Sequence, residues 1–173
     1  MATSTITPDQ DAIFAEIFIA APRERVFQAI SDPAQTSQWW GNKGLYRVTG
    51  GHAEVRVGGT WLSEGVGADG TKFHVNGEYL EVDPPKLLVH TWKSSYDPGL
   101  NTTVRWELES QGVHTLQQSG PHKMGTGTLV RIHHTGFAGN YQSAASHGEG
   151  WKRVLGWLRG FAEKGETIDN RPS

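Results

Sequence analysis

A long amphipathic segment near the C-terminus is the feature that most limits how this chain can fold. Residues 146–162 place apolar side chains on one stripe at a spacing of roughly 100° per residue, which predicts a helix with a buried face. The stripe consists of Trp151, Val154, Leu155, Leu158, Phe161 and Ala162. Residues 45–137 have the pattern of strands and turns, so this helix is the long element available to cover a sheet. Because one helix over a curved sheet leaves a space between the layers, we expect the functional site there.

Composition is that of one globular domain. The chain has 173 residues, of which 36% are hydrophobic and 20% charged. We predict a single domain over residues 12–165, a flexible lead over 1–11 and a flexible tail over 166–173. The net charge of −2 and the scattered Lys and Arg residues argue against a nucleic-acid partner.

The cellular setting is predicted from what the sequence lacks. There is no cysteine, which excludes disulfides and thiolate metal sites. The first residues do not have the pattern of a signal peptide, and no apolar run approaches the roughly 18 residues of a membrane span. We therefore expect a soluble, cytoplasmic protein with no membrane partner.

Turn residues divide the remainder into a strand, two short helices and a meander. The first strand is predicted at 13–19, with helices from 22 to about 30 and from 33 to about 40, the second capped by Asp32 before Pro33. Five strands are predicted at 52–66, with a bulge at Gly58-Gly59, and at 71–82, 86–93, 101–109 and 126–136. The predicted fold class is therefore α+β, with a curved antiparallel sheet covered by the C-terminal helix.

Short motifs in chain order resemble a known family. They are Val26-Phe27, Asp32-Pro33, Trp39-Trp40 and the segments 17–22, 57–61, 77–85, 87–92, 134–137 and 147–151. With these motifs the chain resembles the activator-of-Hsp90-ATPase-like family, within the Bet v 1/START-like (SRPBCC) superfamily, over about residues 13–164. The resemblance implies the helix-grip fold, in which a curved sheet wraps around a long C-terminal helix and two short helices follow the first strand. It leaves function open, because the superfamily includes ligand carriers, polyketide cyclases, hydrolytic resistance proteins and co-chaperones.

Residues 110–125 depart from the family pattern. The family commonly joins the two flanking strands by a short turn, whereas sixteen residues lie here. That length exceeds the usual hairpin connection. Either the strands extend beyond the sheet, or the segment forms a lid or an interface contact.

Aromatic residues are the main candidates for a binding site. The seven tryptophans either form a large aromatic core or line a cavity suited to an aromatic ligand, with Trp40 and Trp151 the strongest candidates for its wall. Trp157 falls at the margin of the helix stripe, so we expect it to matter less to packing than Trp151. The predicted ligand-binding residues are Trp39, Trp40, Trp61, Tyr79, Trp92, Trp106, His134, Trp151 and Leu155.

His134 is the leading candidate for acid–base chemistry. It shares a strand face with Val130 and Ile132, which predicts an inward side chain that is either a hydrogen-bonded core residue or a polar group of the cavity. A catalytic role would need a partner from Glu78, His74 or Tyr79. Adjacent strand residues point to opposite faces, so Glu78 and Tyr79 can both face the cavity only at a bulge.

Motifs for metals and nucleotides are absent from the sequence. His133 and His134 are adjacent on a strand and point to opposite faces, so they cannot chelate one ion. The glycines form neither a dinucleotide nor a phosphate-binding motif, and no nucleophile motif occurs. We therefore predict no metal and no cofactor.

Three functions are compatible with the sequence. The first is the binding of a small apolar or aromatic molecule between the sheet and the C-terminal helix. The second is a cyclase or hydrolase acting in the same cavity, with His134 and Glu78 as candidate catalytic residues. The third, implied by the resemblance alone, is a co-chaperone-like interaction module, and a chaperone partner is the least favoured. A homodimer is compatible with the sequence.

Overall fold

The computed structural model describes residues 1–113 and 125–172. It begins with strands β1 (Thr3–Ile6) and β2 (Ala12–Ile19) and helices α1 (Arg23–Ser31) and α2 (Pro33–Trp39). The remaining elements are β3 (Gly41–Asn42), β4 (Tyr46–Ala53), β5 (Thr60–Gly67), β6 (Lys72–Asp83), β7 (Leu87–Ser94), β8 (Thr102–Val113), β9 (Gly125–Thr135) and α3 (Tyr141–Lys164). The predicted α+β class is confirmed.

The nine strands form one sheet in the order β1-β2-β9-β8-β7-β6-β5-β4-β3. Every neighbouring pair is antiparallel. Helix α3 approaches β1 and β2 most closely, so it packs toward one side of the curved sheet. This off-centre placement leaves room for a cavity over the strands on the other side.

The helices begin and end where local chemistry dictates. The Asp32 carboxylate accepts the Ala34 N–H and Pro33 occupies the first turn, so α2 starts as predicted. The Asn140 side chain accepts the Ser143 N–H at the start of α3. Gly165 ends α3 with a φ of 71°, a conformation that glycine adopts without strain.

The side of the core beneath α3 is filled with aliphatic side chains. Strand β2 alternates between buried residues such as Ile13 and Ile17 and exposed residues such as Phe14 and Phe18, as a strand covered on one face should. Leu155 and Leu158 of α3 are fully buried in the same cluster. The predicted long helix is therefore present, although it begins five residues before the predicted start.

Two predicted local features differ from the structure. The predicted strand 52–66 is wrong, because β4 and β5 are separate strands joined by a turn that contains Gly58 at a φ of 82°. Where a flexible lead was predicted, Thr3–Ile6 pairs with β2 as an edge strand.

The C-terminal segment also packs against the fold. Ile168 is buried and donates its N–H to the Gln38 carbonyl. The Arg171 guanidinium donates to the carbonyls of Trp39 and Gly41 and lies over the Trp157 ring. Trp157 is therefore only 8% exposed, and its predicted marginal position is wrong.

The predicted insertion 110–125 is described only at its two ends. Strands β8 and β9 continue to a pairing of Val113 with Gly125, so both extend farther than predicted. Residues 114–124 lie outside the described residues, and the lid and interface hypotheses for them remain predictions. In the described ranges, no helix combines the length and apolar character needed to cross a membrane.

Candidate functional site

A cavity of about 420 Å³ lies between the sheet and α3. Its wall is formed mainly by residues of β4–β7 and the first half of α3, with contributions from α1 and α2. The volume falls within the roughly 300–1,000 Å³ typical of small-molecule sites. The aromatic and imidazole side chains of the wall are Trp40, Tyr46, His52, Trp61, Phe73, Tyr79, His90, Trp92, Tyr96, Trp106, His147 and Trp151.

Four tryptophans, three on α3, β7 and β8 and one just after α2, meet at the centre of this wall. The Trp40 ring, just after α2, lies 6.1 Å from Trp151 of α3 and 6.4 Å from Trp92 of β7, measured between ring centroids. Trp106 of β8 lies 5.3 Å from Trp151 in an edge-to-face arrangement. Such spacings are favourable for aromatic pairs, so the wall is a continuous aromatic surface.

Six of the predicted ligand-binding residues line the cavity and three do not. The six are Trp40, Trp61, Tyr79, Trp92, Trp106 and Trp151. Trp39 and Leu155 are fully buried in the core instead. The Trp39 indole donates to the Ala29 carbonyl at 2.9 Å, which attaches α2 to α1.

His134 is the third residue outside the cavity wall. Its Nδ1 accepts the Trp151 indole N–H at 3.0 Å, so Nε2 carries the proton and donates to the Thr102 hydroxyl at 2.7 Å. Burial, with smaller contributions from neighbouring histidines, lowers the pKa of His134 well below its ordinary value. His134 is therefore a neutral core residue that orients Trp151.

Strand β6 presents Tyr79, and not Glu78, to the cavity. Tyr79 is 4% exposed, whereas Glu78 and His74 are exposed residues. The register shifts between Tyr79 and Glu81, and this bulge does not turn Glu78 inward. The predicted pairing of His134 with Glu78 or His74 is thus wrong, because strand alternation places those side chains on the outer face. Burial raises the pKa of Tyr79 to about 12, so its hydroxyl remains protonated.

Besides the exposed His52, two histidines of the wall were missed from the sequence. His90 accepts the Trp106 indole N–H on Nε2 at 3.0 Å and donates from Nδ1 to the Thr91 carbonyl at 3.1 Å. Burial lowers the pKa of His90 to about 4, against a smaller raising by that backbone bond. Its alternation with Trp92 along β7 could have revealed it.

His147 is the second missed histidine. It lies four residues before Trp151, a spacing that places both side chains on one helix face. Its Nδ1 donates to the Ser143 carbonyl at 2.9 Å, while Nε2 is buried with no hydrogen-bond partner in the described part of the chain. Burial lowers the pKa of His147, against smaller raising effects of the Ser143 carbonyl and of Asp97.

The histidines do not form a metal centre. Across residues 1–113 and 125–172, no group of three or more His, Asp or Glu side chains is arranged to hold a metal ion. The hydrogen bonds of His90 and His134 to indole N–H groups instead fix the rings of Trp106 and Trp151.

Solved structures share this fold at low sequence identity. Ms6760 from Mycobacterium smegmatis matches with a TM-score of 0.70 and 19% identity, over 95% of this chain and 98% of that protein. CalU16 from Micromonospora echinospora matches with a TM-score of 0.60 and 21% identity, over 95% and 85%. DynU16, a protein of the dynemicin biosynthetic locus, matches with a TM-score of 0.65 and 19% identity, over 91% of this chain and 49% of that protein.

Sequence comparison identifies the family. No curated protein sequence matched the chain. The family model for activator of Hsp90 ATPase homolog 1-like proteins matches residues 20–119, which is more than half of the chain and includes β3–β7 with most of the cavity wall. The chain therefore belongs to the activator of Hsp90 ATPase homolog 1-like family, in the SRPBCC superfamily.

Proposed function

We propose that this protein binds a small, largely apolar aromatic molecule in the cavity between the sheet and α3. The observation that carries the proposal is the aromatic wall, in which side chains from α3, β7, β8 and the end of α2 surround one space. A flat apolar ligand would gain about 25 cal/mol for each Å² of apolar surface that it buries there.

The wall is held in place before any ligand enters. The indoles of Trp106 and Trp151 donate to neutral imidazoles that are themselves fixed by further hydrogen bonds. Restrained side chains lose little conformational entropy on binding, which favours affinity. The origin of DynU16 in a biosynthetic locus agrees with a small-molecule role but names no ligand for this chain.

Calorimetric titration with naphthalene, supported by melting temperatures, tests this proposal. We expect wild-type protein to bind naphthalene with a Kd on the order of 10 μM, within the affinity that a ligand of this size can reach. Ala53 lines the cavity, so Ala53→Phe should fill it and abolish binding. Leu80 is exposed outside the cavity wall, so Leu80→Phe is the matched control and should bind normally. Absence of binding to wild type, or equal binding by both variants, would contradict the proposal.

A second candidate function is hydrolysis of a bound aromatic ester, a form of the cyclase or hydrolase hypothesis. It is favoured by the buried Nε2 of His147, which has no hydrogen-bond partner among residues 1–113 and 125–172 and can act as a general base toward water. In that step water would be added across the ester, giving an alcohol and a carboxylic acid. The rate of naphthyl acetate hydrolysis tests this candidate function. The rate with wild-type protein should be at least 100-fold higher than with His147→Gln. A wild-type rate equal to that in buffer alone would exclude the reaction.

A further inference from the structure

The ionisable side chains of the described cavity wall include basic groups but no carboxylates. No Asp or Glu side chain is found among the described residues that line the cavity. Two lining histidines, the buried His90 and the half-buried His147, have pKa values lowered by burial and are neutral near pH 7. Arg153 of α3 is the one Lys or Arg side chain of the described wall.

Arg153 differs from its neighbours on α3 in having no counterion among the described residues. Lys152 pairs with Glu149 at 3.3 Å, and Arg159 pairs with Glu163 at 3.2 Å. Arg153 makes neither an ion pair nor a side-chain hydrogen bond with any residue in the described ranges. Its side chain is exposed, which places the guanidinium where the cavity meets solvent.

The Tyr46 hydroxyl belongs to the same part of the wall. Burial raises the pKa of Tyr46, while the indole of Trp40 and the positive charge of Arg153 lower it to a smaller extent. The Tyr46 ring lies 5.9 Å from that of Trp157, between centroids, and Trp157 is one helical turn after Arg153 on the same face of α3. Tyr46 and Arg153 therefore line the same end of the cavity. A hydroxyl donor and a guanidinium with no counterion in the described ranges, at one end of a cavity, are suitable groups for binding one carboxylate.

We propose that the ligand is an aromatic carboxylate, whose anion binds Arg153 and the Tyr46 hydroxyl while its ring system lies among the tryptophans. This inference rests on the proposed ligand-binding function and adds the chemical class and orientation of the ligand. The guanidinium presents paired N–H donors that match the two carboxylate oxygens. With no acidic side chain in the described wall, nothing there repels the anion.

A pair of isosteric ligands tests the inference. Naphthylacetate and naphthylacetamide have the same size and aromatic body and differ in charge. By calorimetry, wild type should bind the carboxylate about tenfold more tightly than the amide, because the ion pair is partly exposed and partly screened. Raising the salt concentration should reduce that preference and leave amide binding unchanged.

Three substitutions test whether Arg153 is the residue that binds the carboxylate. Arg153→Gln should remove the preference for the carboxylate and retain amide binding, whereas Arg153→Lys should retain part of the preference. Lys152→Gln makes the same change in net charge next to Arg153, outside the cavity wall, and should leave the preference intact. Both positions are exposed on α3, and melting temperatures should confirm that the three variants fold.

The outcomes distinguish this inference from the proposed function. If naphthalene and both derivatives fail to bind, the ligand-binding function is wrong and the inference falls with it. If carboxylate and amide bind equally well, the function stands and the inference is wrong. If the preference survives Arg153→Gln, or is lost equally in Lys152→Gln, the anion does not bind at Arg153 and the inference is overturned.

Discussion

The sheet has two regions along its strand order, and they differ in the side chains that point inward. Beneath α3, strands β2, β8 and β9 bury aliphatic residues such as Ile17, Ile132 and Leu108 in the same cluster as Leu155. Among the described residues of these three strands, Trp106 alone lines the cavity. Over β4–β7, large aromatic and imidazole rings form much of the wall around a cavity of about 420 Å³. We call these the filled side and the cavity side.

The comparison shows how side-chain shape determines whether the space between sheet and helix is filled or left as a cavity. Branched aliphatic residues interdigitate and occupy the interlayer space at the density of a protein interior. Flat rings that meet edge to face, such as Trp106 and Trp151, instead form a stiff surface with space behind it. The indole N–H groups of Trp106 and Trp151 in the cavity wall are also held by imidazoles, whereas aliphatic side chains have no such groups to satisfy. Stability should therefore depend on the filled side and binding on the cavity side.

The largest expected effect compares two leucines. Leu155 lies on the filled side at 0% exposure, whereas Leu88 is 2% exposed and lines the cavity. Leu155→Ala should lower the free energy of unfolding by about 4 kcal/mol, and Leu88→Ala by about 2 kcal/mol, because a leucine that borders an existing space has fewer contacts to lose. Urea unfolding at matched conditions measures both, and equal losses would contradict the division into two sides.

Acid should weaken the cavity side. The folded-state pKa of His90 is lowered by burial to about 4, and the pKa values of His134 and His147 are lowered as well. Since the unfolded chain takes up these protons near pH 6.5, the stabilisation is complete above that pH and is lost as pH falls toward 4. For His90 the loss amounts to about 3 kcal/mol.

Denaturant unfolding from pH 7.5 to 4 checks this expectation. Stability should decline through the range from 6.5 to 4, and His90→Gln should make the decline shallower. A flat profile over that range would mean that the three imidazoles are not held in the neutral form.

Replacing His134 should lower the stability of the protein, because His134 is a hydrogen-bonded core residue and not a catalyst. His134→Gln removes an acceptor for the Trp151 indole and a donor to Thr102, and we expect a loss of about 2 kcal/mol. Urea unfolding measures that loss. A catalytic His134 would give the opposite result, with full stability and no turnover of naphthyl acetate.

The smallest expected effect on stability is at the rim of the cavity side. Trp61 is partly exposed, lines the cavity and has a buried indole N–H without a partner in the described chain. Trp61→Ala should therefore cost about 1 kcal/mol, below the usual range for a core tryptophan. Naphthalene affinity should fall at least tenfold in the same variant, as measured by calorimetry. A large loss of stability with unchanged affinity would place Trp61 in the core instead.

Much of the fold could be predicted because the patterns are local. The apolar stripe of α3 and the Asp32-Pro33 start of α2 are set by neighbouring residues, so the sequence reveals them directly. The turn at Gly58 was mistaken for a bulge because two glycines permit either conformation, and only the pairing of β4 with β5 decides between them. Strand β1 was missed because its short polar segment pairs at an edge and buries little.

The site was harder to predict because it depends on which elements face one another. Six cavity residues were found from their aromatic character alone. The roles of His134 and His90 depend on indole partners that are distant in sequence, at Trp151 and Trp106. Without the register of β6 the sequence could not show that Tyr79 faces inward and Glu78 outward.

The indole N–H signals of the seven tryptophans test the central claim most directly. In a ¹H–¹⁵N NMR titration with naphthalene, ring currents from a ligand in the cavity should shift the signals of Trp40, Trp61, Trp92, Trp106 and Trp151. The signals of Trp39 and Trp157, which are buried outside the cavity wall, should remain within the scatter of the unliganded protein. Saturable shifts confined to the first group would support a ligand site on the cavity side, whereas no shifts, or shifts led by Trp39 and Trp157, would contradict it.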